Sequence, residues 1–403
     1  MMLPRSRTEC IALDAVDPLA SRRELFDLPA GVIYLDGNSL GAVTHKANER
    51  LQQTIAREWA TDLIASWNRH GWMDWPTHLG ARLAPLLGAA ADEVIVGDST
   101  SVNLFKLAAA AARQRGTRHK IVTERGNFPT DPYILEGLAS LIPELELVVV
   151  ERNALDAAID ETTFLVVLTH IHYRSAEMYD LAAVTRRAHL SGARILWDLS
   201  HSVGAVPLAL AAAQADFAVG CTYKYLNGGP GAPAFMYVRR DLQADLAPVL
   251  SGWLGHSQPF DFADDYKPAA GMARHRCGTP PVLAFAALDG ALVAFEGLDL
   301  QVLRRKSLAL AELFIERVAA LARGSGLTLA SPSDPALRGS HLSFAHPAAD
   351  RLIRRLSERG VVGDFRPPDL LRFGLTPLYL RYVDIWDAVE MLASTLADAD
   401  LRN

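Results

Sequence analysis

Short apolar runs alternate with stretches of helical periodicity through the middle of the chain. Each run is followed by polar or turn-forming residues, which is typical of strands buried in a parallel sheet. Strands are predicted at Glu93–Gly97, Lys120–Thr123, Leu145–Val150, Phe164–Thr169, Ile195–Trp197, Phe217–Cys221 and Ala234–Val238. Helices such as Val102–Arg115 and Leu181–Leu190 lie between them. The alternation predicts a mainly parallel sheet that is covered by helices on both faces.

The C-terminal part repeats a smaller pattern of short strands and helices. Two helices, Pro280–Glu296 and Val302–Arg323, lead into it. Its elements are predicted at Leu327–Ala330, His341–Phe344, Ala348–Arg359, Leu370–Gly374 and Val383–Leu396. We therefore predict an N-terminal arm packing with the small domain (residues 1–48), a large domain (49–295) and a small α+β domain (296–403).

Polar groups follow two of the predicted strands, at the point where each strand ends. Asp198 comes directly after Ile195–Trp197, and Lys224 follows the next strand closely. The carboxyl ends of parallel strands face the ligand crevice, so the two side chains should meet there. A lysine amine and a carboxylate suit pyridoxal phosphate, because the amine binds the aldehyde and the acid keeps the pyridine nitrogen protonated. Either residue alone is more often structural, but together, and with His201 and Tyr223 nearby, they predict a cofactor site.

Two further stretches offer candidate contacts for this cofactor. Asp98–Ser101 precedes a predicted helix, where small hydroxyl side chains cap the helix or bind a phosphate, and the two roles are compatible. The loop Asn127–Asp131 places an aromatic residue next to proline, where it either stacks on a flat ring or is buried in a turn. The pair His170 and His172 lacks the neighbouring ligands that complete a tetrahedral metal site.

Composition narrows the class of protein. The chain has 403 residues, half of them apolar, so it can bury a large core. A formal net charge of −6 predicts binding to neither nucleic acid nor anionic membrane. Three cysteines without metal-ligand spacing, and no apparent signal peptide or membrane span, predict a cytoplasmic protein.

Seven motifs, taken in order, resemble those of kynureninase. They are Tyr34–Gly41, Ser101–Leu104, Asn127–Asp131, Trp197–Gly204, Tyr223–Asn227, Gly252–His256 and Arg372–Tyr379. The resemblance implies an α/β fold, the type I fold of PLP-dependent transferases, with a mainly parallel sheet in the large domain and a smaller α+β C-terminal domain. It also implies hydrolysis of L-kynurenine, or of 3-hydroxy-L-kynurenine, to the corresponding anthranilate and L-alanine in tryptophan catabolism.

The resemblance assigns roles to individual residues. Lys224 would bind pyridoxal 5'-phosphate covalently, Asp198 would pair with its ring nitrogen, and Tyr223 would donate a proton. Arg372 would hold the substrate carboxylate by a bidentate pair. The other residues implied at the cofactor are Thr100, Ser101, Phe128, Pro129, Thr130, Asp131, Thr169 and His201. A homodimer with shared active sites is implied as well, with Trp253 and Thr279 reaching across the interface.

Details of specificity and two other functions stay open at this stage. Gly278-Thr279 resembles bacterial kynureninases and favours unsubstituted kynurenine, and either Trp67 or Trp72 would wall the aryl pocket.

A cysteine desulfurase or selenocysteine lyase of the same fold would need a mobile nucleophilic cysteine, which the loop Arg338–Leu342 lacks. An inactive binding protein of this fold would be expected to lose Lys224 or Asp198, and both are present.

Overall fold

A central sheet of seven strands organises the computed structural model, which describes residues 3–397. The strands of the molecule are β1 (Ile33–Tyr34), β2 (Val94–Val96), β3 (Lys120–Glu124), β4 (Glu146–Val150), β5 (Thr163–Thr169), β6 (Arg194–Asp198), β7 (Phe217–Gly220), β8 (Phe235–Val238), β9 (Thr328–Leu329), β10 (His341–Ala345), β11 (Val361–Val362), β12 (Asp364–Arg366) and β13 (Leu370–Gly374). The central sheet has the order β2-β8-β7-β6-β5-β3-β4. Its strands from β7 to β4 pair in parallel, while β8 runs antiparallel to β7 and β2. The predicted mainly parallel sheet is confirmed.

Fourteen α-helical segments are described along the chain. They are α1 (Arg7–Ala15), α2 (His45–Gln53), α3 (Ala60–Asp62), α4 (Ser66–Arg69), α5 (Trp75–Leu87), α6 (Thr100–Arg113), α7 (Thr130–Leu141), α8 (Leu155–Ala158), α9 (Leu181–Leu190), α10 (Arg240–Gln243), α11 (Val282–Ala291), α12 (Leu300–Leu321), α13 (Ala349–Glu358) and α14 (Tyr382–Ala397). A π-helical turn, Thr54–Trp59, separates α2 from α3. Within residues 3–397, no helix combines the length and the hydropathy that crossing a bilayer would require.

The central strands are buried on both faces, which explains their continuous apolar sequences. Val166 and Leu168 of β5 point into one hydrophobic core, whereas Leu165 and Val167 point into a second core across the sheet. Because successive side chains of a strand alternate between faces, both cores need apolar residues from the same short run. The polar residues that end these strands therefore mark the edge of the sheet where a ligand can approach.

A second, antiparallel sheet forms the C-terminal part, with the order β12-β13-β10-β9. The N-terminal residues lie against this part. Strand β1 pairs in parallel with β11, and the Asp14 carboxylate accepts hydrogen bonds from the amides of Tyr382 and Val383 at the start of α14. The division into these three domains remains a prediction, and residues 1–2 of the first and 398–403 of the last lie outside the described chain.

Candidate active site

A cavity of about 160 Å³ opens at the carboxyl ends of the central strands. Strands β5 and β6 end in it at Thr169 and Asp198, and the loop that follows β7 brings in Lys224. The side chains that line it are Ser99, Thr100, Ser101, Phe128, Thr130, Asp131, Thr169, Asp198, Ser200, His201, Tyr223 and Lys224. The acid and the lysine that were predicted to meet therefore do face the same cavity.

Lys224 is held beside a neutral histidine. Its Nζ lies 3.0 Å from Nε2 of His201 and 5.7 Å from the centre of the Phe128 ring. Burial, reinforced by the charge of Lys224, keeps the pKa of His201 well below its usual range. His201 therefore accepts the hydrogen bond through Nε2 and carries its proton on Nδ1, for which the described residues provide no partner.

Two buried carboxyl groups share the floor of the cavity. Asp198 is 3% exposed, and its Oδ1 accepts a hydrogen bond of 2.8 Å from the amide of Ser200. Burial raises the pKa of Asp198, while the Ser200 hydrogen bond and the Lys224 charge oppose that change. Burial and the nearby charge of Asp198 raise the pKa of Asp131 well above its ordinary value. Burial therefore favours the protonated form of Asp131 more strongly than that of Asp198, whose charged form Ser200 and Lys224 stabilise.

The start of α6 closes the opposite end of the cavity. Ser99 caps this helix by accepting from the amide of Val102 at 3.3 Å, which leaves the Thr100 and Ser101 hydroxyls lining the cavity. The free amides of a first helical turn and the positive end of the helix dipole attract an anion to this point. Burial raises the pKa of Tyr223, another residue of the lining, so its hydroxyl stays protonated. Capping and phosphate binding are both possible here, as the sequence indicated.

The chemistry of these groups fits pyridoxal phosphate. An amine, a buried carboxylate and an anion-binding helix start surround one cavity, and the half-exposed Phe128 ring stands beside it. Several buried polar atoms near the cavity, Asn127 Nδ2, Asp131 Oδ1 and His201 Nδ1, have no partner within residues 3–397. Such atoms are costly unless a bound molecule or water pairs with them, and the polar ring substituents of the cofactor could do so.

Arg372 lies next to this cavity rather than in its lining. Its guanidinium is 1% exposed and donates from Nε and Nη2 to Asp364 at 2.8 and 2.5 Å, and from Nη1 to the carbonyl of Tyr173 at 2.5 Å. The edge formed by Nε and Nη2 therefore already binds a carboxylate of the protein itself. A bidentate contact of Arg372 with a substrate would have to use the edge formed by Nη1 and Nη2.

The loop after β1 connects the arginine to the lysine. Ser39 in this loop accepts from Nη2 of Arg372 at 2.8 Å, and the amide of Gly41 donates to the carbonyl of Tyr223 at 2.8 Å. A side chain at position 41 would place its Cβ 2.2 Å from the carbonyl oxygen of Lys224, so only glycine fits. The glycine-containing motif of residues 34–41 is thus explained by its close approach to the lysine loop.

The remaining predicted contacts lie elsewhere in the described part of the chain. Pro129 precedes α7 without being among the residues that line the cavity. Trp253 is 40% exposed beside Phe260, and Thr279 lines a different cavity together with Asp98. A role for Trp253 and Thr279 in the neighbouring subunit's site stays a prediction.

Neither tryptophan proposed for the aryl pocket reaches the Lys224 cavity in the described chain. Trp67 and Trp72 pack edge to face, with ring centres 5.3 Å apart. Trp72 is buried, and its indole N–H donates to Glu58 at 2.8 Å. Within one chain this pair belongs to the packing around α4 and α5, so a wall for an aryl group would have to come from elsewhere or from a second subunit.

Several residues near the cavity had no signal in the sequence. His341 of β10 is buried, its ring centre lies 5.4 Å from that of His201, and both of its nitrogens lack partners among the described residues. Tyr173 packs edge to face against Phe128 at 5.3 Å. Asp364 and Arg366 belong to a strand of three residues, too short to show a period.

Comparisons with known proteins agree with this geometry. The profile of the kynureninase C-terminal domain family matches residues 303–392. A kynureninase of Pseudomonas fluorescens is 50% identical over 97% of this chain and 95% of its own length. A kynureninase of Burkholderia mallei (strain SAVP1) is also 50% identical, over 97% of this chain and 96% of its own.

Solved structures match the fold at low sequence identity. A cysteine desulfurase from Escherichia coli superposes with a TM-score of 0.78 at 19% identity, covering 94% of this chain and 98% of that one. The cysteine desulfurase of Thermococcus onnurineus NA1 gives a TM-score of 0.76 at 17% identity, covering 98% and 97%. At such identities the likeness concerns the fold alone, and the predicted type I fold class is confirmed.

Proposed function

Because this chain belongs to the kynureninase family, we propose that it uses pyridoxal 5'-phosphate to hydrolyse L-kynurenine to anthranilate and L-alanine. The observation that carries the proposal is the shared cavity of Asp198 and Lys224 at the ends of the central strands. An electron sink and a covalent anchor are what this chemistry requires of a protein, and this cavity offers a place for both. Tryptophan breakdown is the metabolic setting that fits this substrate.

The side chains divide the work between binding and proton transfer. When bound, the cofactor supplies an electron sink for bonds at the amino acid's α- and β-carbons. Lys224 anchors it and moves a proton at the α-carbon, while Asp198 keeps the ring nitrogen protonated. Thr100 and Ser101, at the start of α6, hold the phosphate, and Phe128 covers the ring.

Hydrolysis also needs one water molecule and a proton donor. The oxygen of the water joins the γ-carbon, which leaves as the carboxylate of anthranilate, and the β-carbon gains a proton to become the methyl group of alanine. Tyr223 is the proposed donor because its hydroxyl lines the cavity and burial keeps it protonated. Arg372, beside the cavity, holds the substrate carboxylate.

Incubation with L-kynurenine tests the proposal directly. Anthranilate is followed by its fluorescence and L-alanine by chromatography, with 3-hydroxy-L-kynurenine as a second substrate and Lys224→Ala as the control. We expect equal amounts of the two products, and faster turnover of the unsubstituted substrate. Failure of the cofactor-loaded protein to form either product would contradict the proposal.

L-cysteine is the informative alternative substrate, because the fold is shared with cysteine desulfurases. The loop that would need a mobile cysteine runs from Arg338 to Leu342 and has none. Cys277 is only partly buried, and its Sγ contacts the carbonyl of Leu250 at 3.3 Å. We expect no sulfide release from L-cysteine under conditions that hydrolyse kynurenine.

The functional unit is proposed to be a homodimer in which Trp253 and Thr279 of each subunit reach the other subunit's cavity. The exposure of Trp253 beside Phe260 and Phe262, which are 61% and 75% exposed, supports this arrangement. Mixed dimers of two inactive variants, Lys224→Ala and Trp253→Ala, should recover activity, since one site per hybrid is intact. No recovery in a verified hybrid would contradict the shared site.

The three free cysteines favour a reducing compartment, and we propose the cytoplasm.

A further inference from the structure

Four side chains next to the Lys224 cavity form an arginine cluster: Ser39, Asp364, Arg366 and Arg372. Asp364 Oδ2 accepts from Nη2 of both arginines, at 2.7 Å for Arg366 and 2.5 Å for Arg372. The Ser39 hydroxyl donates to the same oxygen at 2.6 Å and accepts from both arginines, at 3.1 and 2.8 Å. Two guanidinium groups thus converge on one carboxylate and one hydroxyl.

The arginine cluster carries more positive than negative charge. Asp364 is its one ionised carboxylate: burial acts to raise its pKa, but the hydrogen bonds and charge of Arg372 outweigh burial and lower it. The next acid is Asp36, whose pKa is raised to about 7 by burial and by the charge of Asp364, so it is only partly ionised at neutral pH. Two arginines against one full negative charge leave room for one more anion.

The arginine cluster acts on the cavity that holds Lys224. The charges of both arginines help to lower the pKa of His201, which bonds Lys224, and Arg366 also influences Tyr223. Arg366 is the more accessible of the two, with a side chain 35% exposed against 1% for Arg372. Its Nε is buried and has no acceptor among residues 3–397. Arg366 therefore has donor capacity left for a ligand.

We propose that Arg366 is a second carboxylate-binding arginine of the active site, which together with Arg372 makes the enzyme specific for substrates with a free α-carboxylate. This inference rests on the proposed function. Asp364 occupies the Nε–Nη2 edge of Arg372, and its outer edge already donates to the Tyr173 carbonyl and to Ser39, so that arginine alone has few donors left for a substrate. Arg366 supplies the additional donors, and Asp364 is a positioning residue that fixes both guanidinium groups.

Comparison of an acid with its amide tests the role of Arg366 in the full-length, cofactor-loaded enzyme. We expect Arg366→Gln to lower kcat/KM for L-kynurenine by roughly 10- to 100-fold, chiefly through KM, because charge-assisted hydrogen bonds are lost. The kcat/KM for L-kynurenine amide, which has no carboxylate, should change by less than about threefold. Equal losses for both substrates, or no loss for the acid, would overturn the proposal.

A binding measurement makes the test independent of turnover. L-alanine and L-alaninamide are titrated into the holoenzyme by calorimetry, and Arg366→Gln should weaken binding of the acid alone, by about tenfold. Arg354→Gln is the matched control, because Arg354 lies on α13 in an exposed pair with Asp350. A wild type that binds alanine but does not hydrolyse kynurenine would contradict the proposed function and not the role of Arg366.

A second variant covers the case in which Arg366→Gln does not fold. Arg366→Lys keeps the charge but loses the planar fork, so its acid-to-amide ratio of kcat/KM should fall by at least about threefold. The circular dichroism spectrum and the cofactor absorbance verify the folded holoenzyme in each case. If Arg366→Lys kept the wild-type ratio of kcat/KM for acid and amide, the proposal that the guanidinium of Arg366 binds the carboxylate would be overturned.

Discussion

Replacing Asp198 with asparagine should remove a charge from the active site while preserving its shape. Asp198 is 3% exposed, and its Oδ1 accepts the Ser200 amide at 2.8 Å. The amide oxygen of asparagine can accept the same hydrogen bond, so the turn after β6 should be kept. The variant therefore tests the negative charge that is proposed to pair with the ring nitrogen of the cofactor.

The size of the effect follows from burial. Removing one partner of a buried ion pair costs about 3–5 kcal/mol. Since 1.36 kcal/mol corresponds to a factor of ten, kcat/KM should fall by about 10²- to 10⁴-fold. Asp131 partly offsets the loss, because its pKa is raised by the charge of Asp198 and should drop when that charge is gone. We therefore expect kcat/KM to fall by about 10²-fold, which is the lower end of this range.

The assay is anthranilate formation at saturating cofactor, together with titration of the cofactor into the apoprotein. Asp350→Asn is the control, since Asp350 forms an exposed ion pair with Arg354 and should leave both quantities unchanged. If Asp198→Asn retained kcat/KM within roughly threefold, less than about 1 kcal/mol would be involved. The ring nitrogen would then have to be held by another group.

Further predictions concern the lysine and two effects of pH. Lys224→Ala should abolish both kynurenine hydrolysis and the visible absorbance of the lysine-bound cofactor; a variant that keeps either contradicts the assignment of Lys224. Substrate affinity should weaken as the pH rises through about 7, because Asp36, with its pKa raised to about 7, then ionises beside Asp364, Arg366 and Arg372. This step should be absent in Asp36→Asn and for L-kynurenine amide, and its persistence in the variant would exclude Asp36. The free energy of unfolding should fall as the pH drops below 6.5. Burial lowers the pKa of His170 to about 4 and that of His275 to about 3, so the unfolded chain binds protons that the folded chain does not. At pH 5.5 each histidine should lower the free energy of unfolding by about 1.4 kcal/mol relative to pH 8. Urea unfolding at constant protein concentration measures this change, and an unchanged unfolding midpoint would refute the prediction.

The long central strands could be predicted from sequence because burial on both faces makes them apolar throughout. Every residue of β5 is buried, which leaves a clear signal. Strands β11 and β12 have two and three residues, and so few positions cannot display alternation. Helix α7 was not predicted because it starts directly after Pro129 and contains Pro132 in its first turn, where a missing N–H removes no helical hydrogen bond.

The candidate site was predictable only where its residues leave strand ends. Asp198 and Lys224 are both identified by their place after an apolar run. Ser39 and Asp364, in contrast, meet although 325 positions separate them in the chain. No local pattern connects residues so far apart, and the partner that occupies one edge of Arg372 could be recognised only once the fold was known.

The pairing of β1 with β11 constrains the order in which the polypeptide can assemble on the ribosome. Residues 14–34 are translated long before residues 361–383, yet Asp14 and β1 form their hydrogen bonds with the latter. The nascent N-terminal segment therefore cannot dock in its final place until the last part of the chain has been synthesised. Completion of the arginine cluster, which needs residues from both regions, is for the same reason among the last events of biogenesis.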